Sequence, residues 1–133
     1  MSDPLPRSLI RGIDHFVLTC ADVDATIEFY TRVLGMTAES FAGGRRALSF
    51  GNQKINLHQA GREFEPKARV ATAGSGDFCL LSDVPVAEIA RHLAAEGVTI
   101  IEGPVAKTGA AGPLLSIYFR DPDGNLVEVS NVA

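Results

Sequence analysis

Two kinds of hydrophobic periodicity alternate along the chain, and their order repeats. Ile13-Asp14-His15-Phe16-Val17-Leu18-Thr19 alternates loosely and is rich in β-formers, which predicts a strand. Val23, Ile27, Tyr30, Val33 and Leu34 then fall at helical spacing on one face. Asp22 or Asp24 can cap that helix, because a short acceptor side chain satisfies the free N–H groups of the first turn, and Gly35 ends it. Three short strands follow, at about Thr37–Phe41, Arg46–Phe50 and Lys54–His58, with Gly43-Gly44 and Gly51-Asn52 as turns.

A polar stretch from Gln59 to Gly76, containing Pro66, reads as a crossover linker. The pattern then begins again. Asp77-Phe78-Cys79-Leu80-Leu81 predicts a strand and Asp83 a cap, and Val86, Ile89, Ala90, Leu93 and Ala94 mark the inner face of a helix closed by Gly97. Strands are expected at about Thr99–Glu102, Leu114–Phe119 and Leu126–Ser130. The last two are joined by Asp121-Pro122-Asp123-Gly124-Asn125, where Pro suits the second turn position and Gly tolerates positive φ.

Displacing the chain by about 61 or 62 residues lays Asp22-Val23 on Asp83-Val84 and Gly35 on Gly97. The match lies in the order of elements, not in matched letters. The expected fold is therefore α+β: two tandem βαβββ modules, at about residues 11–60 and 76–131, curled as a mixed sheet around one cup-shaped cavity. A chain of 133 residues suits a single domain spanning residues 1–133, in which neither half could close a core alone.

Composition narrows the function classes. Hydrophobic residues make up 46% and charged residues 21%, the balance of an ordinary globular protein. A net charge of −4 argues against a nucleic-acid partner, which needs clustered Lys and Arg. The adjacent basic pair, Arg45-Arg46 beside Gly43-Gly44, is expected in a solvated hairpin turn. No apolar run approaches the ~20 residues needed to cross a bilayer, so no membrane partner is expected. Met1 to Pro6, with two prolines and Asp3, does not read as a signal peptide. Cys20 and Cys79 lie far apart without a Cys-x-x-Cys pairing and are expected to be buried free thiols, which points to a cytoplasmic address.

Strand alternation then sorts the polar residues, because residues two apart share a face. Lys54, Asn56 and His58 share one face, with Ile55 and Leu57 on the other, and Glu128 faces opposite to Val127 and Val129. His58 and Glu128 each stand near the end of the final strand of a module, and His15 and Asp77 each stand in the first strand. Four metal-capable side chains thus occupy two pairs of repeat-related positions. Singly, each is better read as a packed, capping or solvated residue, and His92 on the second helix has no counterpart. Together, two imidazoles and two carboxylates suit Fe(II), Mn(II), Zn(II), Ni(II) or Co(II), and leave room for a substrate to coordinate.

The chain resembles the vicinal oxygen chelate superfamily, which includes glyoxalase I, bleomycin-resistance proteins, fosfomycin-resistance enzymes and extradiol dioxygenases. The resemblance rests on Ile13-Asp14-His15-Phe16-Val17-Leu18, on Thr26-Ile27-Glu28-Phe29-Tyr30 through Val33-Leu34-Gly35-Met36, and on Asp121-Pro122-Asp123-Gly124-Asn125-Leu126-Val127-Glu128. Arg46 to His58, Glu63 to Ala68 and Ser116 to Asp121 look like a narrower group of small glyoxalase-domain proteins, some of them labelled virulence proteins. The resemblance implies a divalent metal on the first and last strands of each module, which by position means His15, His58, Asp77 and Glu128. Glyoxalase I usually has Glu where His58 stands, and most metal-using members have His where Asp77 stands. The residue types look interchanged between the module ends. The resemblance further implies a homodimer, paired side by side or by exchange of modules.

The leading expectation is a metal-dependent enzyme acting on a small oxygenated molecule, as lyase, isomerase or ring-cleaving dioxygenase. In it Glu128 or Asp77 acts as the base, and Tyr118 or Lys54 polarises the substrate. The alternatives are a metal-free small-molecule binder of the bleomycin-resistance type and an interaction module with a vestigial site.

Overall fold

The computed structural model describes residues 3–5 and 7–133. The reading of Met1 to Pro6 as lacking a leader falls in part on residues outside these. The elements run β1 (His15–Cys20), α1 (Val23–Leu34), β2 (Thr37–Phe41), a single 3₁₀ turn (Ala42–Gly44), β3 (Arg45–Phe50), β4 (Gln53–Gln59), β5 (Asp77–Leu81), α2 (Val86–Ala95), β6 (Ile100–Thr108), β7 (Pro113–Arg120) and β8 (Leu126–Val132). The strands form two four-stranded sheets, ordered β1-β4-β3-β2 and β5-β8-β7-β6. In each sheet the first strand of the module lies parallel to its last, and the other neighbours are antiparallel. The α+β class and the tandem modules are as the residue pattern predicts.

Several local expectations differ from what is found. Asp22 caps α1 as expected, accepting from the backbone N–H groups of Asp24 and Ala25, and Gly35 closes the helix in the left-handed region at φ 69°. Asp83 does not cap α2. The cap position is Pro85, and the Val86 N–H is satisfied instead from β8, by Asn131 Oδ1 at 2.8 Å. A tertiary acceptor has replaced the local one, which no local pattern reveals. Arg45 and Arg46 are not a solvated turn but the first residues of β3, each half-buried. Arg46 pairs with Asp24 at 3.2 Å, while Arg45 lies over the Phe64 ring. Cys20 is buried as expected, whereas Cys79 is exposed.

Strand β6 runs well past Glu102, with register shifts between Ile100 and Glu102 and between Glu102 and Val105. Gly103 sits there at φ 105°, and a Cβ on it would collide with the Ser116 carbonyl oxygen of β7. Gly103→Ala is therefore expected to destabilise the fold by about 2–3 kcal/mol, combining left-handed strain with displacement of β7. A urea titration against the parent protein measures it, and an unchanged midpoint would show that β7 yields freely.

One core joins the modules. Each sheet presents an apolar face to its helix: Phe16, Leu18, Ile55 and Leu57 in the first, and Phe78, Leu80, Val127, Val129, Ile117 and Phe119 in the second. Those two faces look toward each other. Phe16 and Phe78 stack at 5.0 Å between ring centroids, and Phe29 of α1 meets Phe119 of β7 at 6.3 Å. Across the helices, Arg32 bonds Glu96 at 2.9 Å, and the His92 Nε2–H donates to the Val33 carbonyl at 2.9 Å. His92 is thus a structural bridge, consistent with its having no repeat-related counterpart. Because successive strand residues face opposite ways, the inward apolar faces force the polar faces of both sheets outward. The two sheets stay unclosed in the single chain, so the cup is open.

Candidate metal centre

The outward face of the first sheet carries His15, Val17 and Thr19 of β1 beside Lys54, Asn56 and His58 of β4. His15 is exposed, and its Nδ1 lies 2.8 Å from the Asp14 carboxylate, which leaves Nε2 free to ligate. A carboxylate on the far ring nitrogen fixes tautomer and orientation in the manner of metal-bound histidines. The hydrogen bond to His15 holds the Asp14 carboxyl below its ordinary range. His58 is nine-tenths buried, edge-on to the Phe64 ring at 5.8 Å. The Asn56 side-chain oxygen is buried and has no hydrogen-bond partner among the described residues.

On the second sheet the outward face carries Asp77 and Cys79 of β5, Glu128 and Ser130 of β8, and Tyr118 and Ser116 of β7. Glu128 stands directly across from both Cys79 and Tyr118. Ser130 Oγ donates to Glu128 at 3.2 Å, lies 2.6 Å from Ser116 Oγ, and lies 3.2 Å from the Cys79 thiol. Partial desolvation of the sulfur raises the Cys79 thiol above its ordinary value despite the bond to Ser130, with the charge of Glu128 adding to the shift. Burial, then the hydrogen bond and charge of Glu128, push the Tyr118 phenol up to about 12. At neutral pH Tyr118 is therefore a proton donor. The Lys107 ammonium lies 5.4 Å from its ring centroid.

The strand registers change how the repeat should be superposed. His15 pairs with Lys54 and Val17 with Asn56, while Asp77 pairs with Leu126 and Cys79 with Glu128. With His15 and Asp77 equivalent, the counterpart of Glu128 is Asn56, and the counterpart of His58 is Ser130. His58 lies four residues along the ladder from the level of His15, roughly 13 Å at the usual rise, whereas Asn56 lies only about half as far. Asn56 shares the face of His58, but in a sequence an amide is a weaker metal signal than an imidazole. Asp14 and Ser130 gave no signal, since their roles exist only through neighbours.

Among the described residues, no three His, Cys, Asp or Glu side chains within one chain gather closely enough to hold a metal ion. His15 stands on the outward face of one sheet, and Asp77 and Glu128 on the outward face of the other. The chemistry of the donor set nevertheless suits a divalent ion, with one oriented imidazole, two carboxylates and a buried, unpartnered amide oxygen.

The chain is 56% identical over 122 residues to the glyoxalase domain-containing protein RDO1 of Mycosarcoma maydis, covering 92% of this chain and 69% of that protein. The crystal structure of virulence protein STM3117 from Salmonella typhimurium superposes with a TM-score of 0.93 at 50% identity, covering 95% of this chain and all of that one, 100%. The crystal structure of lactoylglutathione lyase from Agrobacterium tumefaciens superposes with a TM-score of 0.72 at 26% identity, covering 93% and 96% of the two chains. A model of the Glyoxalase/Bleomycin resistance protein/Dioxygenase superfamily matches residues 12–129, which is nearly the whole chain. The chain belongs to that superfamily.

Proposed function

We propose that the protein is a homodimeric, divalent-metal-dependent enzyme acting on a small oxygenated molecule. Each centre is assembled from the His15 face of one copy and the Asp77–Glu128 face of the other. The observation that carries this reading is the outward turn of both polar faces, which also expose apolar side chains. Val17 is 45% exposed, Leu81 68% and Val132 76%. A second copy laid across these faces buries them and closes the cup, in an isologous pairing that makes two identical sites.

In this arrangement His15, Asp77 and Glu128 are ligands, and the fourth donor is His58 or, by register, the Asn56 oxygen. A bound divalent ion supplies charge withdrawal from adjacent substrate oxygens. Glu128 takes a substrate proton, held in place by Ser130. Tyr118, protonated at neutral pH, donates to a developing oxyanion, and Lys54 adds positive charge to the same cup. Lyase, isomerase and dioxygenase chemistry all use such a set. A reducing, cytoplasmic setting suits the two unpaired thiols. No helix among the described residues is long and apolar enough to cross a membrane.

A metal-free binder is the second reading. It is favoured by a recess of about 420 Å³ within one chain, between Cys79, Leu81 and Glu128 and the small-residue turn Gly109–Gly112. Ligand binding that survives chelation distinguishes it.

Mixing two inactive variants tests shared assembly. His15→Ala and Glu128→Ala should each lose stoichiometric Co(II) or Zn(II). Unfolded together and refolded, they should regain about a quarter of the parental metal sites, because each mixed dimer carries one intact site. Recovery of nothing, with each variant still dimeric, would sink the shared-site reading. His58→Ala and Asn56→Ala, measured in parallel, decide the fourth donor.

A further inference from the structure

The outward face of the first sheet carries two cations with no acidic partner. Arg45 and Lys54 form no ion pair within 4.0 Å among the described residues, while Arg32, Arg46, Lys67 and Lys107 each do. Their side chains are held by aromatic rings instead. The Arg45 guanidinium carbon lies 4.6 Å from the Phe64 ring centroid, and the Lys54 ammonium 4.2 Å from that of Phe41. Phe41 pairs with Arg45 across β2 and β3, and Phe64 also touches His58, so the two rings and three basic groups form one connected wall. Ala47, fully buried, lies in the middle of this face, opposite Asn56 and Glu39.

Such an arrangement orients charge without neutralising it. A ring face holds a guanidinium or ammonium in place while its N–H donors stay free, and Arg presents two of them in a fork that matches a carboxylate or phosphoryl group. The acids nearby do not quench it. Asp14 is engaged by His15 and feels Lys54 only through space, Glu63 is taken by Lys67, and Glu39 stands exposed on the β2 edge.

We propose that the β2–β3–β4 face is an oxyanion subsite, in which Arg45 and Lys54 bind a carboxylate or phosphoryl group of the substrate with His58 beside it. The subsite deepens the proposed function, and rests on it only for the claim that the bound molecule is a substrate. An anionic small molecule would thus be gripped at one end here and present its oxygens to the centre formed with the partner copy.

The test is carried out on chelator-treated dimer, so that metal plays no part. Inorganic phosphate, acetate and uncharged acetamide are titrated into it by NMR, following backbone amides of β3 and β4. Saturable shifts with phosphate or acetate, weakened by salt and absent with acetamide, are expected. The preferred anion says which group the substrate carries. Arg45→Gln and Lys54→Gln should each weaken binding about tenfold and together abolish it, while Arg45→Lys keeps part of it. Thermal melts confirm that the variants fold. The proposal fails if neither anion binds, or if binding is unchanged in the folded double variant. It also fails if the substitutions dissociate the dimer without altering anion binding, which would mean that the cations serve partner carboxylates. Anion binding intact in a protein that never retains metal would overturn the metal centre and leave this subsite standing.

Discussion

Asp121→Ala is expected to cost about 3–5 kcal/mol of folding free energy, because it strips several buried donors of one shared acceptor. Asp121 is 6% exposed. Its Oδ2 accepts from the Tyr30 phenol at 2.8 Å and from Asn125 Nδ2 at 2.7 Å, and its Oδ1 from the backbone N–H groups of Asp123 at 3.0 Å and Asn125 at 2.9 Å. Asn125 in turn accepts from the Gly76 N–H at 2.7 Å, where the linker enters β5. The carboxylate therefore ties α1 of the first module to the β7–β8 turn of the second and to the linker between them. Burial, reinforced by the neighbouring Asp121 charge, keeps the Tyr30 phenol protonated far above its ordinary range, so it remains a donor. Tyr30→Phe removes one donor and leaves the acceptor served by three others, and about 1–1.5 kcal/mol is expected. Urea unfolding of both variants gives the comparison. Equal small losses would mean that the turn, not the carboxylate, joins the modules.

Glu128→Gln should weaken divalent-metal binding by about a hundredfold or more, since it replaces a charged ligand and disturbs the Ser130 contact beside it. A second readout requires no metal. Glu128 helps hold the Tyr118 phenol up, so its neutralisation should move that titration from about 12 part of the way toward the ordinary value, with burial maintaining the rest. The chain has two tyrosines, and Tyr30 titrates far higher, so phenolate absorbance near 295 nm follows Tyr118 alone. The sign for stability follows. Because the folded phenol has the raised value, its contribution is complete below about pH 10 and is lost as pH rises through about 12. In the Gln variant that alkaline loss should begin at the same pH, be smaller, and end earlier. A Tyr118 titration identical in both proteins would remove Glu128 from the phenol's surroundings and from its proposed role.

Local pattern was enough for much of the fold. The alternation of Lys54, Asn56 and His58 against Ile55 and Leu57 needs only the two-residue period of a strand, and the structure places them on opposite faces accordingly. Asp22 and Gly35 bound α1 because both devices act within one helical turn. Asp83 failed as a cap for the converse reason: Asn131, 45 residues distant from Val86, supplies the acceptor. The basic pair at the start of β3 misled because two Gly precede it, and only the packing of Phe64 and Asp24 shows that the strand has already begun.

The candidate site divides along the same line. Residue order determined which side chains are chemically able to serve, His15, His58, Asp77, Glu128, Tyr118 and Lys54, and that strand alternation would put them on polar faces. Tertiary structure decided the register, which makes Asn56 the counterpart of Glu128, and the outward turn of both polar faces, so that among the described residues no three His, Cys, Asp or Glu side chains gather within one chain. The reason is that periodicity reports which face a residue occupies, whereas ladder register and the packing of Phe16 on Phe78 are long-range, set by contacts between segments that carry no mark of one another in the order of residues.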